Sequence, residues 1–229
     1  MQKLSTNGLV MPAEFPTASY EAVYSVLVKR AQANAQLYEQ FSGAWNAVSY
    51  RYLAVVECSE AFTASIVEHG TGPEPLERYR QERDLFAFFS NGVSAVDASF
   101  YGLFAIGAFL SPNHFPMTAP EDQQRVSAGS TRGAYAKAFP GDPILTVLDA
   151  LSKNAAYQEW RDVRNTLTHR AAPGRRMYVG IPEGEPLPDE WKILNIPLNK
   201  HTTETRKREL AWLLTSMLDA ARTFAAARL

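Results

Sequence analysis

The chain has 229 residues, of which 46% are apolar, 21% charged and 11% aromatic; 23 basic groups against 24 acidic ones leave a formal charge of −1. This composition excludes a disordered or collagen-like chain and supplies ample apolar mass for a packed core. Near-neutral charge argues against coating nucleic acid by bulk electrostatics, and a lone cysteine, Cys58, excludes a disulfide framework or a cysteine-rich zinc site.

The first sixteen residues hold one lysine and no apolar run of signal-peptide length, so a cytoplasmic protein is expected. Residues 17–69 read as helix, with Val23, Leu27, Ala31, Leu37, Phe41, Trp45, Val48 and Tyr52 recurring at three- and four-residue steps. Ser42-Gly43 is the expected place for a break or bend, and His69-Gly70-Thr71-Gly72-Pro73 is a stop signal.

A second long helix is expected from about Leu76 to Leu110. Its richest part, residues 85–110, is long enough for a membrane span, but Asp97 sits in the middle beside Ser94 and Ser99, and the uninterrupted apolar part, 98–110, is too short. Gly92, Ala95, Ala98, Gly102 and Gly107 would admit close neighbours, so this is read as the buried central helix of a bundle, with no membrane partner.

Residues 111–141 are loop-like, rich in proline, with one weak helix expected over 125–139. So long a connection inside a compact domain is uncommon and often functional. GSTRG at 129–133 resembles a phosphate loop only superficially, since the lysine and the preceding strand are missing. Asp142-Pro143 is a strong helix start, and helical signals continue to Ala172, broken near 152–154. Residues 175–200 form an expected hairpin-like insertion, with MYVGI and WKILNIPL as strands joined by PEGEPLPDE. A last helix begins near Thr203, where Leu210, Leu213, Leu214, Met217, Ala221 and Phe224 make one apolar stripe. The expected architecture is a single all-α domain over residues 1–229: an antiparallel helical bundle with two excursions.

His69, His114, His169 and His201 are far apart and lack neighbouring ligands at helical spacing, so neither a metal nor a cofactor is expected. One segment departs from this plain background. Residues 161–176 hold Arg161, Arg164, Arg170, Arg175 and Arg176 against the single acid Asp162. Guanidinium forks suit phosphate oxygens, and His169 adds a side chain able to take and give a proton near neutrality. At about 100° per residue, Trp160, Val163 and Leu167 face the core, whereas Arg161, Asn165 and His169 share the polar side. Arg164 lies roughly 140° from His169 around an ideal helix, so the two meet at one phosphate only through distortion or a second subunit.

Arg164-Asn165-Thr166-Leu167-Thr168-His169 resembles the R-N-x-x-x-H form of the motif of HEPN domains (higher eukaryotes and prokaryotes nucleotide-binding). The resemblance covers six residues within an all-α context. It implies a helical bundle, often a homodimer, acting as a metal-independent endoribonuclease in toxin–antitoxin, antiphage or CRISPR settings. It further implies attack by the ribose 2′-OH, a 2′,3′-cyclic phosphate product, and paired motifs lining one cleft. Carried onto this chain, Arg164, Asn165 and His169 become the catalytic candidates. Arg161, Arg170, Arg175 and Arg176 are the candidate phosphate ligands, RNA is the substrate, and an antitoxin or other regulator is the implied partner. HEPN toxins paired with nucleotidyltransferases carry Tyr two residues after the His; Ala171 stands here, so control by adenylylation is not inferred. Two alternatives remain: a non-catalytic HEPN-like module binding nucleotide, RNA or protein through the same basic cleft, and a structural helical dimer without a site.

Overall fold

The computed structural model describes residues 1–169, 173–175 and 191–229. Eight α-helices dominate these residues, and the only sheets among them are two short hairpins, so the chain is an all-α bundle. The first hairpin, β1 (Gln2–Lys3) with β2 (Val10–Met11), precedes α1 (Thr17–Leu27) and has no counterpart in the sequence reading.

The long helical stretch breaks earlier than Ser42-Gly43. A 3-10 turn at Val28–Arg30 ends α1, and α2 (Ala35–His69) starts afresh at Asn34, whose Oδ1 accepts from the Leu37 amide at 3.0 Å. A side-chain cap supplies a free helical N–H with its acceptor and so marks a start without proline or glycine. Gly43 stays inside α2. Gly70, with φ at 65°, then turns the chain where a Cβ would be strained, and Pro75 opens α3 (Pro75–Leu110).

Helices α2 and α3 form the central antiparallel pair. By length and composition α3 qualifies as a membrane span, but 67% of its most apolar window is buried inside the protein. Aromatic rings reach it through its glycines. A Cβ on Gly102 would stand 2.8 Å from the Trp45 ring of α2, and Cβ atoms on Gly92 and Gly107 would overlap the rings of Trp160 and Phe115.

Residues 111–141 are more ordered than expected. Two helices, α4 (Pro120–Gln124) and α5 (Ala128–Ala138), replace the single weak one. The separation arises at Ser127, whose hydroxyl caps α5 in a reciprocal capping box with Ser130. Asp142 accepts from the Ile144 amide at 3.0 Å and opens α6 (Ile144–Ser152). Asn154 then opens α7 (Ala155–His169), accepting from the Tyr157 amide at 3.1 Å.

The second hairpin is tighter than predicted. Lys192–Ile193 (β3) pairs with Ile196–Pro197 (β4) across a two-residue turn inside WKILNIPL itself. Leu194 and Asn195 both have positive φ, 49° and 69°, as a twist-compatible two-residue hairpin turn demands. The expected partner strand MYVGI and the PEGEPLPDE connector lie outside the described residues. Asn199 caps α8 (Lys200–Arg228), which therefore starts three residues before Thr203, and α8 closes the bundle against α1, α2, α3 and α6.

Replacing Gly92 by Ala forces a methyl into the Trp160 ring. Overpacking of this kind should lower unfolding free energy by about 2 kcal/mol or more in urea titrations. A loss below about 0.5 kcal/mol would show that α7 moves away freely.

Candidate site on helix α7

Helix α7 lies on α3 through an apolar stripe. Tyr157, Trp160 and Val163 are buried and Leu167 is partly buried, the spacing that the sequence predicted. Trp160 is the anchor: its ring stacks on Phe88 with centroids 4.9 Å apart and meets Phe89 edge-on at 5.2 Å. Tyr157 donates from its hydroxyl to Asp97 Oδ1 at 2.9 Å; burial and the adjacent carboxylate both raise its pKa, so it stays a phenol.

These contacts fix the rotation of α7 and with it the motif. Arg164 stands four residues after Trp160 and is half-buried; its Nε is buried and has no hydrogen-bond partner among the described residues. Asn165 is half-buried, and Arg161 and His169 are exposed. The Arg161 guanidinium lies 5.7 Å from the centroid of the Tyr157 ring and 3.5 Å from Gln158 Oε1. Because α7 remains helical through His169, Arg164 and His169 stay about 140° apart within one chain. The structure therefore aligns Arg161, Asn165 and His169 along one side and turns Arg164 toward the α3 edge.

Among the described residues, Arg161 and Arg164 form no ion pair with the two acids of this helix, Glu159 and Asp162. Glu159 stands two and five residues before Arg161 and Arg164, spacings that do not bring helix side chains together, and forms an ion pair with Arg206 of α8; Arg206 also holds Glu209 at 3.2 Å. Asp162 makes no ion pair among the described residues, and its main-chain carbonyl accepts from the Thr166 hydroxyl at 2.9 Å. Arg206 could be foreseen as a cation in α8, but nothing local in the sequence ties it to Glu159, 47 residues earlier.

The remaining arginines part company. Arg170 and Arg176 lie outside the described residues. Arg175, expected as a phosphate ligand, is instead committed to the protein interior, with a side chain only 7% exposed. Its guanidinium donates to the Thr71 carbonyl at 2.8 Å and to Gln81 Oε1 at 2.7 Å, and sits 3.6 Å from Glu82 Oε1. Its other face covers the Trp191 ring at 3.6 Å from the centroid. Burial lowers its pKa to about 10, which still leaves a cation at neutral pH. The physical reason for the difference is burial: the terminal nitrogens donate into the protein, Nε is enclosed without a partner among the described residues, and no accessible fork faces a phosphate.

Among the described residues, no three His, Cys, Asp or Glu side chains are gathered as a metal ion would need. Comparison with family models, curated proteins and solved structures finds no match to this chain.

Arg175→Ala strips the Trp191 face and leaves the fully buried Gln81 amide oxygen short of a donor. A buried acceptor without its charged partner costs about 1–3 kcal/mol, so the thermal midpoint should fall by several degrees. The salt dependence of any RNA binding should not change with this variant. A flattened slope together with an unchanged midpoint would return Arg175 to the list of phosphate ligands.

Proposed function

We propose that this chain is a HEPN-like, metal-independent endoribonuclease that works as a homodimer. The reading is supported chiefly by the state of α7: Arg161 and Arg164 keep no carboxylate partner among the described residues, and Glu159 pairs with Arg206. Arg161, exposed, without an ion pair among the described residues and on the same side of the helix as His169, suits an anionic substrate better than a structural role. In the proposed reaction the ribose 2′-oxygen attacks the adjacent phosphorus and the 5′-oxygen leaves. His169 exchanges protons with these oxygens, and the arginines offset the added charge on the phosphorane. The products are a 2′,3′-cyclic phosphate and a 5′-hydroxyl.

The dimer answers a geometric demand, since Arg164 and His169 of one helix diverge. Exposed Leu76, Tyr79 and Phe86 lie on the half of α3 nearest the C-terminal end of α7 and offer apolar surface to a second copy. An antitoxin or antiphage circuit follows from the family resemblance alone, and a cytoplasmic setting from the character of the first sixteen residues. A non-catalytic RNA-binding module is the second reading, favoured by that same divergence of Arg164 from His169.

The decisive measurement is cleavage of a mixed RNA pool by purified protein. Activity should persist in excess EDTA and leave 2′,3′-cyclic ends. His169→Ala should lower the rate by about 10² or more with little change in RNA affinity, whereas Arg164→Ala should impair cleavage and binding together. Binding without cleavage, weakened only by the arginine substitutions, would establish the module instead. Light scattering should report twice the 25.4 kDa chain mass at micromolar concentration. A strict monomer would sink the composite site.

A further inference from the structure

The connection between α3 and α6 is not used by the α7 site. It folds over the far end of α3, where Phe115 enters the space at Gly107 and meets Tyr135 and Phe104 edge-on, with centroids 5.0 and 5.1 Å away. Beside this plug, between residues 113–125 and one face of α5, lies a cavity of about 390 Å³. Such a volume is within the range of small-ligand sites. Phe104 and Ala134 give it an apolar wall, and His114, Arg125 and Lys137 line it against one carboxylate, Asp122.

Two features distinguish this cavity from an ordinary surface dimple. The first is that its cations are uncommitted. Arg125 and Lys137 have no side-chain hydrogen bond or ion pair among the described residues. Arg132, on the opposite side of the same helix, is clamped to Asp149 at 2.6 Å. His114 is oriented by a 2.8 Å contact between its Nδ1 and the Ser111 hydroxyl, which leaves Nε2 as its remaining polar atom.

The second feature is Gly133. It occupies the interior of α5, where glycine costs helix stability relative to alanine. Packing does not require it: a Cβ at 133 would meet nothing within 4 Å, whereas the glycines of α3 each receive an aromatic ring. The space in front of Gly133 is the cavity itself. A weak helix residue that serves no packing, facing two free cations, keeps room for something that is not part of the chain.

We propose that this cavity binds a small phosphomonoester. Arginine offers a planar fork and lysine a compact point charge, and together they match a dianionic phosphate. The Phe104–Ala134 wall would take the apolar part of the ester. The site stands about 18 Å along α3 from Gly92, where Trp160 of α7 is seated, and takes no lining residue from α7, so it does not rest on the α7 reading.

Isothermal titration of the full chain with phenyl phosphate, with benzoate as the carboxylate control, tests this directly. Phenyl phosphate should bind at least about tenfold more tightly than benzoate, and Arg125→Gln and Lys137→Gln should each weaken it by about tenfold or more. Gly133→Leu should abolish binding while the thermal midpoint holds or rises, because leucine fills the space and favours the helix. Absence of binding at millimolar phenyl phosphate would overturn the proposal. So would equal affinity for benzoate, or glutamine variants that bind like the wild type.

Discussion

Aromatic rings seated on the glycines of α3 are the constraint from which the rest of the arrangement follows. Trp160, Trp45 and Phe115 occupy the places where Cβ atoms would stand on Gly92, Gly102 and Gly107. Each ring belongs to a different element, so one helix sets the approach of α7, of α2 and of the segment after α3. A ring in such a socket cannot slide, because neighbouring positions along α3 carry side chains. Close packing thereby becomes register, and register decides which residues of α7 face outward. With Trp160 pinned, Tyr157 meets Asp97, Arg164 turns to the α3 edge and His169 remains at the free end.

A second clamp acts where the chain leaves α7. Arg175 brings the main chain back to the α2–α3 turn, held by the Thr71 carbonyl, Gln81 and the Trp191 ring. Burying a cation is costly unless hydrogen bonds and nearby charge replace its water. Here the acceptors, the aromatic face and Glu82 together make that replacement, and Gln81 is itself held by donation to Ser65 and to the Gly70 carbonyl. Such a cluster tolerates only one path for the chain. It ties the last hairpin to the bundle through Trp191, whose Nε1 donates to the Pro173 carbonyl at 3.2 Å.

Much of this was legible in the sequence because helical periodicity is a local signal. The apolar stripes of α7 and α8, the burial of α3 and its use of glycine for close neighbours all follow from residues within a few turns of one another. The misplaced features are of two kinds, local signals that are weakly marked and contacts distant in sequence. The break after α1 is set by Asn34 rather than by Ser42-Gly43, and the last hairpin turns at Leu194-Asn195, a pair whose positive φ values only Asn195 hints at. Arg175 was misread for a stronger reason. A cluster of arginines suggests a common electrostatic use, but burial depends on partners distant in sequence, and Gln81 lies 94 positions away. The Arg206–Glu159 pair was hidden in the same way.

That last pair bears on why the α7 cations matter at all. A carboxylate one turn from an arginine on the same helix normally forms a weak surface pair, worth about 0.3–0.5 kcal/mol. Arg206, with 15% of its side chain exposed, offers Glu159 a shielded partner on another helix, whereas Arg161, two residues on, faces a different side of α7. Glu159 is thereby fixed on the α8 side of α7, while Arg161 and Asp162, unpaired among the described residues, stay exposed. For a chain with nearly balanced charge, this local separation counts for more than the total: potential falls off within about 8–10 Å in physiological salt, so only nearby charges shape a site. Within α7 two arginines meet two acids, so any local separation of charge comes from placement rather than number, and α8 sets the place of one of those acids.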